Sequence, residues 1–85
     1  MTVKILKFSA EWCQPCKQLM NTLTRLNVET VGYDIEDRPD LVAHYNVRSV
    51  PTLVYTDGDL VLGVLIGNKS EKDILEWLDE CRNSI

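Results

Sequence analysis

Two cysteines near the start of the chain, Cys13 and Cys16, have the types and the spacing needed for redox chemistry. A short β-type run, VKILKF, precedes them and a helical pattern follows them, so both should lie at the first turn of a helix. There the unpaired backbone N–H groups and the helix dipole favour a negative charge, which a thiolate supplies. Exchange with a disulfide needs such a thiolate and a second sulfur close enough to resolve a mixed disulfide. The pair therefore predicts a dithiol–disulfide exchange site.

The periodicity of the helix predicts different environments for the two sulfurs. An apolar stripe at three- and four-residue spacing comprises Cys16, Leu19, Met20, Leu23 and Leu26. Cys13 lies before that stripe, at the helix cap, so we expect Cys16 to be buried and Cys13 to be exposed. Cys13 is accordingly assigned as the attacking nucleophile and Cys16 as the resolving cysteine. Pro15 is tolerated between them because its missing N–H would have no partner in the first helical turn.

The elements that must position this pair alternate between strand and helix. Strands are predicted over residues 2–8, 28–35, 50–56 and 60–66, and helices after the cysteine pair, over residues 37–46 and after Ser70. The order β-α-β-α-β-β-α predicts an α/β fold of one domain, residues 1–85, with a four-stranded mixed sheet flanked by three helices. Asn46 is predicted to end the second helix in a left-handed conformation, and Gly63 to mark a bulge in the fourth strand or a close approach of another backbone.

Composition and charge narrow the classes of function. The 85-residue chain carries a net charge of -4, which argues against a general nucleic-acid binder. It has no apolar run of membrane-spanning length, and its start, MTVKILKF, is too short and too broken by lysine for a secretory signal. We therefore expect a cytoplasmic monomer that contacts neither nucleic acid nor membrane. Glu36 and Asp37 are interpreted as a solvated loop and helix start.

A zinc half-site is the structural alternative for the cysteine pair. Zinc needs four ligands, so Cys81 and His44 would have to join Cys13 and Cys16. The predicted helix phases of Cys81 and His44 do not converge, and a lone cysteine on an apolar stripe is typically a small core residue. We therefore expect no metal, and no cofactor beyond the redox-active Cys13–Cys16 disulfide.

Several segments resemble the thioredoxin/glutaredoxin superfamily. AEWCQPCK, residues 10–17, resembles the active-site segment of thioredoxins, with tryptophan before the first cysteine and proline before the second. RSVPTL, residues 48–53, resembles the segment that holds a cis-proline opposite the disulfide, and Gly67 is similar to a glycine that borders the substrate groove. The likeness covers nearly the whole chain and lacks only an extra N-terminal strand and helix. It implies a minimal thioredoxin fold of the phage or archaeal type.

This resemblance implies a function and a set of binding residues. It implies a cis Pro51, and a Val50 backbone that hydrogen-bonds an extended substrate. The implied groove comprises Trp12, Gln14, Pro15, Val50, Pro51, Ile66 and Gly67. The implied activity is reduction of protein disulfides through a mixed disulfide, with a thioredoxin reductase or glutathione as the electron source. The family often supplies electrons to ribonucleotide reductase.

The chain departs from the thioredoxin pattern at Lys7. Thioredoxins usually bury an aspartate there, and the lysine that often accompanies it falls here at Gly32. If Lys7 points at Cys16, its charge would stabilise the thiolate, or its neutral amine would accept a proton. The alternative is that Lys7 extends to solvent at a strand edge.

Two other functions compete with protein-disulfide reduction. A glutathione-dependent glutaredoxin generally has threonine before the cis-proline, a glycine pair and a lysine shortly before the cysteines. Here Ser49-Val50-Pro51 matches only in part, Gly67-Asn68 lacks the glycine pair and Ala10-Glu11 lacks the lysine. A non-catalytic module that binds partners or metal through the same face is the third hypothesis, and it predicts that Cys13→Ser leaves binding intact.

Overall fold

Residues 2–84 form four strands and three helices in the predicted order. The computed structural model describes residues 2–84. The elements are β1 (Val3–Ser9), α1 (Gln14–Arg25), β2 (Val31–Asp34), α2 (Pro39–His44), β3 (Thr52–Asp57), β4 (Leu60–Ile66) and α3 (Glu71–Asn83). The sheet order is β2-β1-β3-β4, with β1 parallel to β2 and antiparallel to β3, and β3 antiparallel to β4. The predicted α/β fold with a mixed four-stranded sheet is confirmed.

The two faces of the sheet carry separate hydrophobic cores. The larger core joins α1 and α3 to β3 through Leu19, Leu23, Leu53, Tyr55, Ile74, Trp77, Leu78 and Cys81. The other core contains Leu6, Phe8 and Val54, against which partly buried side chains of α2 pack. Consecutive residues of β3 thus serve opposite cores, because side chains alternate across a strand. Both faces are covered, so β3 is buried from Thr52 to Thr56.

The end of α1 explains why β2 is shorter than its predicted range of 28–35. The second helix, α2, is also shorter, at Pro39–His44, than its predicted range of 37–46. Asn27 and Asn46 have positive φ angles of 58° and 56°, so Asn46 ends α2 as predicted. Val28 N–H donates to the Leu23 carbonyl at 2.9 Å, which closes α1 in a Schellman motif. Because this N–H completes the helix, β2 begins only at Val31 and not at residue 28.

The buried face of α1 differs from the predicted stripe at two positions. Met20 is 45% exposed, whereas Thr22 is buried. Thr22 can be buried because its hydroxyl donates to the Gln18 carbonyl and accepts from Arg25, which satisfies it. Within residues 2–84, no helix is both long enough and apolar enough to cross a bilayer.

Gly63 lies at the predicted irregularity in β4. Tyr55 pairs with Gly63, but the next residue of β3, Thr56, pairs with Val61, so β4 contains one extra residue in a bulge. A Cβ atom on Gly63 would collide with the Cys81 sulfur and meet the Trp77 indole nitrogen at 3.1 Å. The predicted bulge is therefore present, whereas the close approach to Gly63 comes from side chains of α3 and not from another backbone.

Candidate active site

The paired cysteines lie where β1 ends and α1 begins. Cys13 is the N-cap of α1, and its sulfur accepts a hydrogen bond from the backbone N–H of Cys16 at 3.2 Å. The backbone N–H of Cys13 donates to the Ala10 carbonyl at 3.1 Å, which fixes the turn that enters the helix. The Cα atoms of the two cysteines are 5.3 Å apart and their sulfurs form a disulfide. The geometry is that of a redox-active pair at a helix N-terminus.

The prediction that Cys13 is exposed is wrong. Cys13 and Cys16 are each only 4% exposed, and with Ala10 they form a small buried cluster, against which Ile35 and Val50 pack. The cap position places Cys13 outside the apolar stripe of α1, but its sulfur turns inward to the Cys16 N–H and the Cys16 sulfur. Helix periodicity describes only contacts made through one face of the helix, so it missed burial by the preceding turn and by residues 35 and 50.

The surroundings of the two sulfurs are nevertheless different. The Cys16 N–H is directed at the Cys13 sulfur, and together with the N-terminus of α1 it stabilises a negative charge on Cys13. Cys16 instead borders a pocket on the other side of the turn, which Lys7 also lines. The structure therefore places a hydrogen-bond donor at the Cys13 sulfur, which suits the attacking cysteine, and places Cys16 beside a separate pocket.

Trp12 forms one wall beside the disulfide. Its side chain is 67% exposed, and its indole N–H donates to the Glu36 carboxylate at 3.0 Å. Glu36 is in turn held by its own N–H, which donates to Asp34 Oδ1 at 2.8 Å. Glu36 is therefore not merely part of a solvated loop, because it orients the tryptophan. Its location at the carboxyl end of β2, parallel to β1, is the signal that could have identified it.

The opposite wall is built from the segment before β3 and the residue after β4. The Val50–Pro51 peptide bond is cis. The Pro51 carbonyl accepts a hydrogen bond from Gly67 N–H at 2.8 Å, and Gly67 has a φ of +94°, where a larger residue would be strained. Val50 packs on the cysteine cluster, so this wall is in direct contact with the disulfide.

The structure brings together part of the implied groove. Trp12 and Val50 line one cavity of about 350 Å³, with Ile35, Val42 and Val47 as further apolar walls and Arg48 and Ser49 at its polar side. Gln14 and Pro15 are exposed on the first turn of α1. Ile66 is 58% exposed and lines a different depression on the β4 side. The apolar cavity between Trp12 and Val50 is therefore the best-formed part of the candidate groove.

Lys7 occupies the position where the sequence departs from the thioredoxin pattern. Its side chain is half-buried, and it lines a pocket together with Cys16 and Asp34. Burial lowers the pKa of its ammonium group, because the charged form loses hydration. Within the described residues no carboxylate forms a salt bridge with Lys7. The side chain thus shares a pocket with the second cysteine.

The described residues contain no candidate metal centre. Among residues 2–84, no three His, Cys, Asp or Glu side chains lie close enough to hold a metal ion. Cys81 is buried in the core that joins α3 to the sheet, where desolvation, aided by the charge of Glu80, raises the pKa of its thiol. His44 is exposed and packs edge-on against Tyr45. Within residues 2–84, Cys81 and His44 thus do not join the cysteine pair.

Comparison with known proteins gives consistent matches over most of the chain. The family model described as Thioredoxin matches residues 2–80. A thioredoxin of Buchnera aphidicola is 35% identical over 82 residues, which span 89% of this chain and 76% of the relative. A thioredoxin of Staphylococcus epidermidis is 34% identical, over 92% of this chain and 81% of its own. The solved structure of the germline-specific thioredoxin Deadhead of Drosophila melanogaster matches with a TM-score of 0.81 and 26% identity, covering 93% of this chain and 80% of that one. The matched range includes both cysteines and the segment before β3.

Proposed function

Since the chain belongs to the thioredoxin family and is a disulfide oxidoreductase of that family, we propose that it reduces protein disulfides through Cys13 and Cys16. The observation that carries the proposal is the hydrogen bond from Cys16 N–H to the Cys13 sulfur at the start of α1. It favours a thiolate on Cys13 and not on Cys16, so it supports Cys13 as the nucleophile.

The reaction consists of two exchanges between sulfur atoms. The Cys13 thiolate attacks one sulfur of the substrate disulfide, forming a mixed disulfide and releasing the other substrate sulfur as a thiolate that takes a proton from solvent. Cys16 then loses its proton and attacks the Cys13 sulfur. The bond between Cys13 and the substrate breaks, the second substrate thiol leaves, and the Cys13–Cys16 disulfide remains. Two electrons have passed to the substrate, and no cofactor beyond the cysteine pair takes part.

The proposed substrate is an extended segment of a protein that carries the target disulfide. The cavity between Trp12 and Val50 is apolar and open, which suits an uncharged side chain next to the substrate cysteine. The backbone of Val50 would pair with the segment, Gln14, Pro15 and Ile66 would contact it from the exposed rim, and Pro51 and Gly67 would shape the wall. This groove supports a protein substrate more directly than a small thiol.

The electron source proposed for this activity is a thioredoxin reductase, with glutathione as the alternative. A thioredoxin reductase is favoured over glutathione, because Gly67-Asn68 lacks the glycine pair of glutaredoxins and Ala10-Glu11 lacks their lysine. A reductase requires a steady electron supply, so the proposal includes a reducing compartment such as the cytoplasm. Ribonucleotide reductase is a candidate electron acceptor, since the family often serves it.

The experiment that tests the proposed function measures reduction of a protein disulfide with two electron sources in parallel. One assay contains thioredoxin reductase and NADPH, and the other glutathione reductase, glutathione and NADPH. We expect NADPH-dependent turnover in the first, loss of turnover in Cys13→Ser, and covalent capture of the substrate protein by Cys16→Ser, because the mixed disulfide then cannot resolve. Turnover in neither system would refute the proposal. Partner binding that survives Cys13→Ser would favour the non-catalytic module instead.

A further inference from the structure

A second pocket, whose lining does not include Trp12, reaches the cysteine pair. It has a volume of about 220 Å³, and its lining is mostly apolar apart from four charged side chains. Cys16 lines it and Cys13 does not. The charged side chains that line it are Lys7 from β1, Asp34 from β2, Glu11 from the connection to α1 and Lys17 from α1. The resolving cysteine therefore has its own charged surroundings, separate from the substrate groove.

Lys7 is the cation whose placement is fixed by the sheet. It pairs in register with Gly32 of β2, and its Cε atom lies 3.7 Å from where a Cβ of that glycine would be. The Lys7 stem therefore lies against β2 at Gly32, at ordinary contact distance from the position of a Cβ atom. The other cation of the pocket, Lys17, is exposed, so solvent screens its charge more strongly. Lys7 is half-buried, and its charge is therefore felt over a longer distance.

Two carboxylates face the same pocket. Asp34 is half-buried and its Oδ1 is occupied by the Glu36 N–H at 2.8 Å, which holds the carboxylate in its turn. Glu11 is exposed. Burial lowers the pKa of Lys7, because the ammonium form loses hydration. The pocket thus brings an amine from β1 and a carboxylate from β2 into one lining.

We propose that Lys7 is a positioning residue for the resolving step, whose ammonium charge stabilises the thiolate of Cys16. This inference rests on the proposed function and deepens it. In the mixed disulfide the Cys16 thiol gives its proton to water that enters the pocket. The thiolate then attacks the Cys13 sulfur, the bond to the substrate breaks, and the substrate leaves as a thiolate that is protonated by solvent. Lys7 keeps its proton throughout and supplies only charge.

The test separates the two steps with a chromophoric aromatic disulfide and stopped-flow mixing of the reduced protein. Attack by Cys13 releases one aryl thiolate in a first phase, and attack by Cys16 releases the second in a later phase. We expect Lys7→Met to slow the second phase about tenfold at neutral pH and to raise its pH midpoint by roughly one unit, the effect of losing one nearby charge. The first phase should change little. The matched control Lys4→Met removes an exposed lysine about 10 Å away along β1 and should leave both phases unchanged.

Two further variants extend the test. The first asks whether Lys7 acts as a charge or as a base, and the second should shift the pH midpoint of the second phase in the opposite direction. Lys7→Arg keeps the cation but cannot act as a base, so it should restore the second phase. Asp34→Asn removes the opposing carboxylate and keeps an acceptor for Glu36 N–H, so it should lower the pH midpoint of the second phase. An unshifted midpoint in Lys7→Met, or equal slowing by Lys7→Met and Lys7→Arg, would overturn the inference. Loss of the first phase in the unmodified protein would instead refute the proposed function.

Discussion

At the scale of single residues, Gly63 is the position where the fold tolerates least change. It sits beside the bulge of β4 and faces α3, whose Cys81 sulfur and Trp77 indole occupy the space that a Cβ would need. Because both neighbours belong to the packed core between sheet and helix, neither can withdraw without opening a cavity. The glycine therefore sets the distance at which α3 approaches the sheet.

We expect Gly63→Ala to lower the free energy of unfolding by about 1–3 kcal/mol, the usual cost of overpacking a core. Chemical denaturation of the oxidised protein measures it. Gly32→Ala is the matched control, since its added Cβ would meet only Lys7 Cε at the ordinary contact distance of 3.7 Å. Combining Gly63→Ala with Cys81→Ala should cost less than the sum of the two single changes, because the sulfur is one of the colliding atoms. Strict additivity of the pair would contradict this account.

The residues of the site were predictable from sequence to different degrees. The spacing of Cys13 and Cys16 was sufficient to place them at a helix start, because this is a property of a few consecutive residues. The burial of Cys13 was not predictable, because it depends on Val50, which is 37 residues away in sequence and adjacent only in the fold. The same holds for Glu36, whose bond to Trp12 joins residues 24 apart. The local sequence pattern identifies the reactive residues, whereas contacts between distant segments determine how these residues are buried.

At the scale of the elements, helix ends govern where the neighbouring strands begin. The left-handed Asn27 and the Val28 N–H close α1, so the apolar pattern that starts at residue 28 contributes its first residues to the helix end and not to β2. An apolar pattern alone cannot separate these uses, because a valine suits both. By contrast the predicted bounds of β4 match the structure, since the Asp57-Gly58 turn and Gly67 punctuate both ends.

The start of α3 depends on the side chain of Ser70. Its hydroxyl accepts a hydrogen bond from Asp73 N–H at 3.2 Å, which makes Ser70 the N-cap of the helix. We expect Ser70→Ala to lower the free energy of unfolding by about 1 kcal/mol, because the helix then loses its N-cap acceptor. Ser70→Asp should retain most of the stability, since a carboxylate also caps and suits the helix dipole. Thermal unfolding of both variants measures the effect, and equal loss in the two would show that the cap does not matter.

At the scale of the whole molecule, two desolvated groups on the same face of the sheet affect stability in opposite directions at alkaline pH. Burial raises the pKa of the Cys81 thiol, so above about pH 8.5 the unfolded chain holds fewer protons there than the folded protein. Burial lowers the pKa of Lys7, so below about pH 10.4 the unfolded chain holds more protons there. By linkage, Cys81 makes stability fall as pH rises, and Lys7 makes it rise.

These opposite slopes give the last prediction, made for the oxidised protein, in which Cys13 and Cys16 do not titrate. Between about pH 8 and about pH 10, Cys81→Ala should make the free energy of unfolding rise more steeply with pH than in the unmodified protein. Lys7→Met should make the free energy of unfolding fall more steeply with pH over the same range, because the Cys81 thiol then contributes without the opposing contribution of Lys7. Urea denaturation at several pH values measures both slopes. The comparison uses slopes because each variant also changes packing, which shifts stability by a constant. Curves for Lys7→Met that run parallel to those of the unmodified protein would contradict a lowered pKa of Lys7 in the fold.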